Sequence, residues 1–326
     1  MPQCAKSELL ERIQRYKIIQ GPLAGVSSIV FRDLIWKYSQ PAWTYSEMIA
    51  AKTILHPTAH TQKRYLSVSA DEGPLCLQIA CGEPAEAAQV CTRLNGMNIS
   101  MIDLNVGCPV KKIRRRGQGS SLLANPVKLK AIITAMREHS DYPISVKIRV
   151  DGAQKTNYNA AVLDVVNETK PDFLVVHGRS YLDDYTQACH LEQIQYFAKN
   201  ALMPTIANGD VVDAVSVQRM LKLGCAAVMI SRASVGAPWL IGKIQQQMGI
   251  DDAFNELSLL QKWDVFVAHI KNLSVFFNHE GLALAHARGL IKYYLKNNPF
   301  NPDLSAAVIN LKNLQQLSEL REIVRV

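Results

Sequence analysis

The sequence predicts an α/β fold, a TIM (β/α)8 barrel followed by a small all-helical bundle, and three observations predict it. Short apolar runs recur along the first 240 residues, amphipathic segments separate them in one unbroken register, and after about residue 241 no convincing strand appears. The runs are Ile18 to Leu23, Ser46 to Ile49, Leu75 to Ala80, Met101 to Val106, Ile144 to Val150, Phe173 to His177, Thr205 to Asn208 and Ala226 to Ser231. Several are almost wholly apolar, as expected of strands buried on both faces of a parallel sheet. An open doubly wound sheet uses the same alternation, but eight repeats without a reversal favour closure.

The segments between the runs carry helix signals. Glu83-Pro84 precedes AEAAQVCTRL, and Asn125-Pro126 places a cap and an N1 proline ahead of VKLKAIITAMREH. Asp210 to Asp213 opens AVSVQRMLKLG, which Gly224 stops. Beyond the eighth run, LSLLQKWDVFVAHIKNLSVFF, ALAHARGLIKYYLKN and the last 25 residues read as helices, with Pro299 and Pro302 marking a break.

Bulk properties bound the function. No stretch reaches the roughly 18 uninterrupted apolar residues that a membrane span needs. The start, MPQCAKSELLERIQRYK, is polar and unlike a secretory signal, so a soluble, cytoplasmic protein is expected. Seven scattered cysteines, with no CxxC pair, predict free thiols rather than a disulfide framework or metal site. Cys76, Cys91 and Cys225 read as small core residues. Thirty-six Lys and Arg against 28 Asp and Glu give a net charge of +8, which suits a polyanionic partner.

In such a barrel the chemistry sits where the strands end. Those ends carry Gly21-Pro22-Leu23-Ala24-Gly25, Gln78, Asn105-Val106-Gly107-Cys108-Pro109, Lys147 with Arg149, His177-Gly178-Arg179, Asn208-Gly209-Asp210 and Ser231-Arg232. The last two suit a phosphate: a glycine lets backbone approach an anion, and a hydroxyl and a guanidinium donate to it. Lys147 lies in an apolar strand, where burial is costly unless an anion or an electron-rich ring faces it, or unless the side chain snorkels to the mouth. Cys108 differs from the other cysteines because it sits in a Gly-Cys-Pro turn leaving the barrel wall. An unperturbed thiol is protonated at neutral pH and can act as a general acid. Lys111, Lys112, Arg114, Arg115 and Arg116 follow, and Gly117-Gln118-Gly119 makes this a mobile cationic loop suited to a large polyanion.

Together these segments resemble the tRNA-dihydrouridine synthase family, bacterial FMN enzymes. The resemblance is carried by Asp103-Leu104-Asn105-Val106-Gly107-Cys108-Pro109-Val110-Lys111-Lys112, then Gly117-Gln118-Gly119 and Leu122-Leu123. PLAGVSSIVFR, Ser46-Glu47-Met48, Ser145-Val146-Lys147-Ile148-Arg149, Val176-His177-Gly178-Arg179, Ile206-Ala207-Asn208-Gly209-Asp210 and Ala227-Val228-Met229-Ile230-Ser231-Arg232 support it, in family order. His286-Ala287-Arg288 ahead of Tyr293-Tyr294-Leu295 resembles the family's RNA-binding tail.

The resemblance implies an FMN-binding catalytic barrel over 1–240 and a helical tRNA-binding domain over 241–326. It places FMN on Pro22, Leu23, Ala24, Gln78, Lys147, His177, Asn208, Gly209, Asp210, Ser231 and Arg232. It makes Cys108 the proton donor, and Asn105, Lys111, Lys112, Arg114 and Arg288 contacts for tRNA. The implied reaction reduces a D-loop uridine, flipped from its stack, to 5,6-dihydrouridine. NADPH reduces FMN, hydride goes to C6, and Cys108 protonates C5. No metal is implied, and the family analogy is to a monomer.

Five serines at three places depart from the family pattern: Ser27-Ser28 replaces a Thr-Asp pair, Ser231 replaces a glycine, and Ser120-Ser121 alters the small pair after the basic loop. Two other readings remain open at this level. A flavin barrel acting on a small dihydropyrimidine-type molecule would need neither the basic loop nor the tail. A catalytically idle RNA-binding barrel would not need the Cys, Lys, His and Arg positions.

Overall fold

The computed structural model describes residues 6–153 and 157–324. Cys4, counted above among the free thiols, lies outside them. The strands, in chain order, are β1 (Ile18–Gln20), β2 (Thr44–Tyr45), β3 (Ile49–Ala50), β4 (Leu75–Ala80), β5 (Met101–Val106), β6 (Ile144–Arg149), β7 (Phe173–His177), β8 (Thr205–Asn208) and β9 (Ala227–Ile230). All pair in parallel; β1 bonds to β9, and β2 bonds to both β1 and β4, so the sheet closes. The result is an eight-stave parallel barrel with flanking helices and a C-terminal helical domain, as the sequence predicts.

The second stave differs from the expected run Ser46 to Ile49. It is split into β2 and β3, because the Ser46 hydroxyl takes the Gln78 N–H at 3.0 Å and itself donates to the Glu47 carbonyl at 2.8 Å. The first stave stops at Gln20 rather than Leu23. Gly21 makes the last ladder bond, to the Ile230 carbonyl at 2.8 Å, and Pro22 has no N–H to continue it. At the other side of that seam Ser231 turns off the strand, with φ −123° and ψ −93°.

Helix starts follow local chemistry. The Asn125 side chain accepts from the Lys128 N–H ahead of Pro126–His139, and Asp213 closes a capping box with Ser216 ahead of Ala214–Leu221. Glu83 precedes Pro84–Leu94 without a side-chain cap bond; its carboxylate meets Lys128 at 2.7 Å instead.

The strand period of two divides the barrel interior by height. Its lower part is apolar, with Ile19, Tyr45, Cys76, Met101, Phe173, Val175, Ile206 and Met229 in one buried cluster. An element absent from the sequence reading seals that end. The helix Lys6–Tyr16 inserts Leu9 and Ile13, four residues apart on one face, into the same cluster.

The tail has a separate core. Helices Leu259–Phe277 and Glu280–Asn297 form a hairpin around Asn278, which is left-handed at φ 51°. Trp263, Phe266, Tyr294 and Phe300 pack together there, and the cluster extends to Val30, Leu34 and Trp239 of the barrel. The preceding helix, Leu240–Gln247, buries Ile241 and Ile244 against the barrel's own outer core.

Beneath that seam Arg32 is buried and bidentate on Glu72, at 2.7 and 2.9 Å, and also donates to the Ser27 and Ser67 carbonyls. Removing one partner strands a buried charge. Glu72→Ala should therefore destabilise the fold by about 3–5 kcal/mol, seen as a lower urea midpoint at unchanged slope; a loss below about 1 kcal/mol would mean that the pair is solvated.

Candidate active site

The upper part of the barrel interior is polar. The inward parity that buries Cys76, Met101 and Phe173 below carries Gln78, Asp103, Asn105, Ser145, Lys147, Arg149, His177 and Asn208 above. On one side Gln78 Nε2 donates to Asp103 Oδ2 at 2.8 Å, and Ser145 Oγ donates to Asp103 Oδ1 at 2.5 Å. Asn105 Nδ2 donates to Gln78 Oε1 at 2.9 Å, and Asn105 Oδ1 accepts the N–H groups of Gly107 and Cys108 at 3.2 and 2.9 Å. On the other side Lys147 Nζ donates to Asn208 Oδ1 at 2.9 Å, and Asn208 Nδ2 donates to the Met229 carbonyl at 3.0 Å.

Electrostatics follow from burial. Desolvation pushes Asp103 up to about 6, against the pull of Ser145, Gln78 and Lys147. It lowers Lys147 to about 8, with Arg149 pressing the same way and Asp103 opposing. His177 is held well below its usual range by burial first, then by the Lys147, Arg149, Arg179 and Arg232 cations, so its ring is neutral at physiological pH.

Cys108 sits partly exposed on its turn. Its carbonyl accepts from the N–H and hydroxyl of Ser120 at 3.1 and 2.9 Å. Gly119, at φ +61°, packs where a Cβ would lie 2.9 Å from that carbonyl. Ser120 thus ties the cationic loop to the cysteine turn. Lys111 and Lys112 are exposed on a single helical turn, and the Arg114 guanidinium lies 4.2 Å over the Tyr181 ring.

At the seam of β8 and β9, Gly209 has φ +118°, and a Cβ there would meet Cys189 Sγ at 2.4 Å. A Cβ on Gly21 would meet Ser231 Oγ at the same distance. Asp210 uses its carboxylate on Arg179, 2.6 Å away, and lies 3.7 Å from Arg232, whose guanidinium stacks 3.9 Å over Tyr185. Pro22, Leu23 and Ala24 form the loop beside β1. It is shaped by Ser27, whose hydroxyl accepts from the Leu23 N–H at 2.9 Å, and by Glu47, which accepts the Gly25 N–H.

The structure thus brings the strand-end residues to one mouth. Arg288 lies in the tail, where its Nε and Nη2 donate to the Ile309 and Leu311 carbonyls, both at 3.0 Å. Sequence reasoning assigned no role to Asp103, Ser145, Tyr181 or Tyr185. The parity of Asp103 with Asn105 was a usable signal for the first, whereas the two tyrosines lie in a loop with no periodic pattern.

A parallel barrel that gathers a thiol turn, a neutral imidazole and guanidinium and ammonium groups at its strand ends has the layout of a barrel enzyme, whose site lies at the C-terminal face of the strands. The family model described as Dihydrouridine synthase (Dus) matches residues 19–323, and the chain belongs to that family. It is 27% identical over 305 residues to the probable tRNA-dihydrouridine synthase 1 of Synechocystis, covering 93% of this chain and 85% of that protein. It is 28% identical over 286 residues to tRNA-dihydrouridine synthase B of Klebsiella pneumoniae, covering 87% and 88%. Against the Escherichia coli K12 protein of the same name it is 28% identical over 290 residues, covering 88% and 89%. Among solved structures, a FabK mutant from Thermotoga maritima superposes with a TM-score of 0.44 at 12% identity, covering 71% of this chain and 64% of that one.

The depressed lysine has a testable consequence. Between pH 8 and 10.5 the folded chain has released the Lys147 proton that the unfolded chain still holds, so this group makes stability rise with pH across that window. The difference in unfolding free energy between wild type and Lys147→Met, measured without ligand, should shift towards the wild type from about pH 8 to 10. A flat difference would mean a solvated ammonium.

Proposed function

We propose that the chain is a tRNA-dihydrouridine synthase, an oxidoreductase that reduces a D-loop uridine of tRNA to 5,6-dihydrouridine using FMN and NADPH. The observation that carries this reading is the Cys108 thiol, on a turn fixed by Asn105, at a mouth that also gathers Lys147, His177 and Asn208.

The donor set fits FMN. Lys147, a cation whose charged form is disfavoured by burial, gains from an electron-rich ring system beside it. The amides of Gln78 and Asn208 and the neutral His177 offer hydrogen bonds without adding charge. The loop of Pro22, Leu23 and Ala24 forms the adjoining wall. Gly21 and Gly209 let the backbone pack against Ser231 and Cys189, where a Cβ would clash, and this close packing brings the strand-end backbone together near Ser231 and Arg232, where a phosphate would bind. Asp210 contributes backbone there, since its carboxylate is committed to Arg179. FMN held by these residues would supply, once reduced by NADPH, the hydride for C6 of the uracil.

The chain's own residues do the rest. The Cys108 Sγ–H donates the proton to C5, which completes the two-hydrogen reduction of the C5–C6 double bond; the thiolate recovers a proton from water at its partly exposed position. Asn105, with both amide ends fixed, orients the base. Lys111, Lys112 and Arg114 meet phosphates beside the mouth. We assign residues 1–240 to catalysis and 241–326 to tRNA binding, with Arg288 bracing the tail's face through Ile309 and Leu311 and presenting its remaining donors to the RNA. The protein acts as a cytoplasmic monomer without a metal.

Expression in a bacterium stripped of its own dihydrouridine synthases, followed by base-by-base mapping of its tRNA, should restore dihydrouridine at a D-loop position. A well-expressed, yellow protein that restores none, in the host or on its cognate tRNA, would favour a small-molecule flavin barrel. Cys108→Ala should keep bound flavin and NADPH oxidation but lose tRNA reduction by roughly 100-fold or more, the scale of a lost general acid; normal dihydrouridine formation would remove the thiol from the mechanism. Arg232→Ala should retain FMN more weakly by about tenfold, as for a lost charge-assisted contact. Unchanged flavin occupancy after gel filtration would move the phosphate elsewhere.

A further inference from the structure

Asp103 is fully buried between β4 and β6, and the reaction as derived above does not use it. A buried carboxylate is expensive unless it is hydrogen-bonded. This one has two donors, Ser145 Oγ at 2.5 Å and Gln78 Nε2 at 2.8 Å. From it runs a chain with both ends chemically fixed. An ionised carboxylate can only accept, so Gln78 must turn its NH2 towards Asp103 and its oxygen towards Asn105. Asn105 must then give Nδ2 to Gln78, at 2.9 Å, and keep Oδ1 for the N–H groups of Gly107 and Cys108. Those backbone amides can only donate, so the polarity closes consistently at the far end. What Asn105 has left is a single Nδ2 hydrogen, a donor that suits a pyrimidine carbonyl.

We infer that Asp103 is the positioning residue of this site: its carboxylate anchors one end of the Gln78 and Asn105 amide chain, whose other end is the Gly107 and Cys108 N–H groups, and so holds the turn that carries Cys108. The inference rests on the reading of Cys108 as proton donor. If Asp103 is protonated, or replaced by Asn, it can offer a hydrogen to the Gln78 NH2 that faces it, and the relay is then held only from the Gly107 and Cys108 end. The ionised form is the competent one, so tRNA reduction falls as pH drops through the Asp103 pKa, raised by burial to about 6. The titratable groups facing it are Lys147 on β6, Tyr45 on β2 and Cys76 on β4. The thiol and phenol are pushed up by burial and by Asp103 itself, so they are neutral in this window, and Lys147, at about 8, is charged throughout it.

The test uses the full-length, flavin-loaded protein and measures NADPH oxidation and tRNA reduction separately, each per bound flavin. Asp103→Asn should lower tRNA reduction at saturating tRNA by roughly 10- to 100-fold, the worth of a hydrogen bond to a charged group, while NADPH oxidation holds. An equal fall in both would reduce Asp103 to a structural role and overturn the inference. Should Asp103→Asn not fold, Ser145→Ala tests the same point. Losing a donor to the charged form raises the Asp103 pKa, so the acid limb of tRNA reduction moves to higher pH; an unmoved limb overturns it. A second readout needs no turnover. With 15N-labelled cysteine, the Cys108 amide resonance, identified by its loss in Cys108→Ala, should titrate with a midpoint near the Asp103 value of about 6 in wild type and not in Asp103→Asn. An amide that does not titrate counts against the relay. Cys108→Ala separates the two ideas: if it still forms dihydrouridine, the proton-donor reading falls and the relay loses its purpose. If it is inactive while Asp103→Asn works at the wild-type rate from about pH 5 to 8, the reading stands and the Asp103 inference falls.

Discussion

The two-residue period of a strand in a closed barrel is the constraint on which this structure depends. Once eight staves close, every second side chain must point into a space with little water, and height along the strand decides what it meets. Low on the staves the inward residues are Met101, Phe173, Val175 and Met229, sealed from below by Leu9 and Ile13. Higher up the same parity delivers Asp103, Lys147, His177 and Asn208. Burial then acts on those groups in opposite senses: the carboxyl is raised, while the ammonium and the imidazole are lowered. Near pH 7 the carboxylate and the ammonium keep their charges while the imidazole is neutral, and the hydrogen bonds among them have definite directions.

The rim obeys different rules. There the cations are more exposed, and they are organised by aromatic rings and by carboxylates committed elsewhere. Arg114 lies over Tyr181 and Arg232 over Tyr185, both rings coming from the loop after β7. Asp210 is occupied by Arg179, which leaves the rim's balance positive near Arg232. The serines that depart from the family pattern have local work to do. Ser27 stitches the loop after β1, Ser120 ties the basic loop to the Cys108 carbonyl, and Ser231 turns the chain off β9. The helical tail, with its separate core, is seated on the barrel through Val30, Leu34 and Trp239.

Much of the fold was legible in the sequence. Six of the eight expected runs overlie strands within a residue at each end, because buried parallel strands are apolar on both faces and stand out as runs. The two that shifted did so for side-chain reasons: Ser46 captures an N–H that a ladder would have held, and Pro22 ends the first stave early. The helix Lys6–Tyr16 escaped notice because its buried contribution is essentially Leu9 and Ile13 amid charged residues.

By itself, then, the sequence determined the barrel, its family and many of the residues that stand at the strand ends, since those depend on local periodicity and on short ordered motifs. Only the tertiary structure decided how those residues address one another. That Gln78 faces Asp103 and Asn105 holds the Cys108 turn depends on register between β4 and β5, fixed by pairs such as Gln78 with Asp103. That Arg179 rather than Arg232 takes the closest hold on Asp210 depends on loops far apart in the chain. Hydrogen-bond direction and desolvation are properties of neighbours in space, and a linear pattern does not encode them.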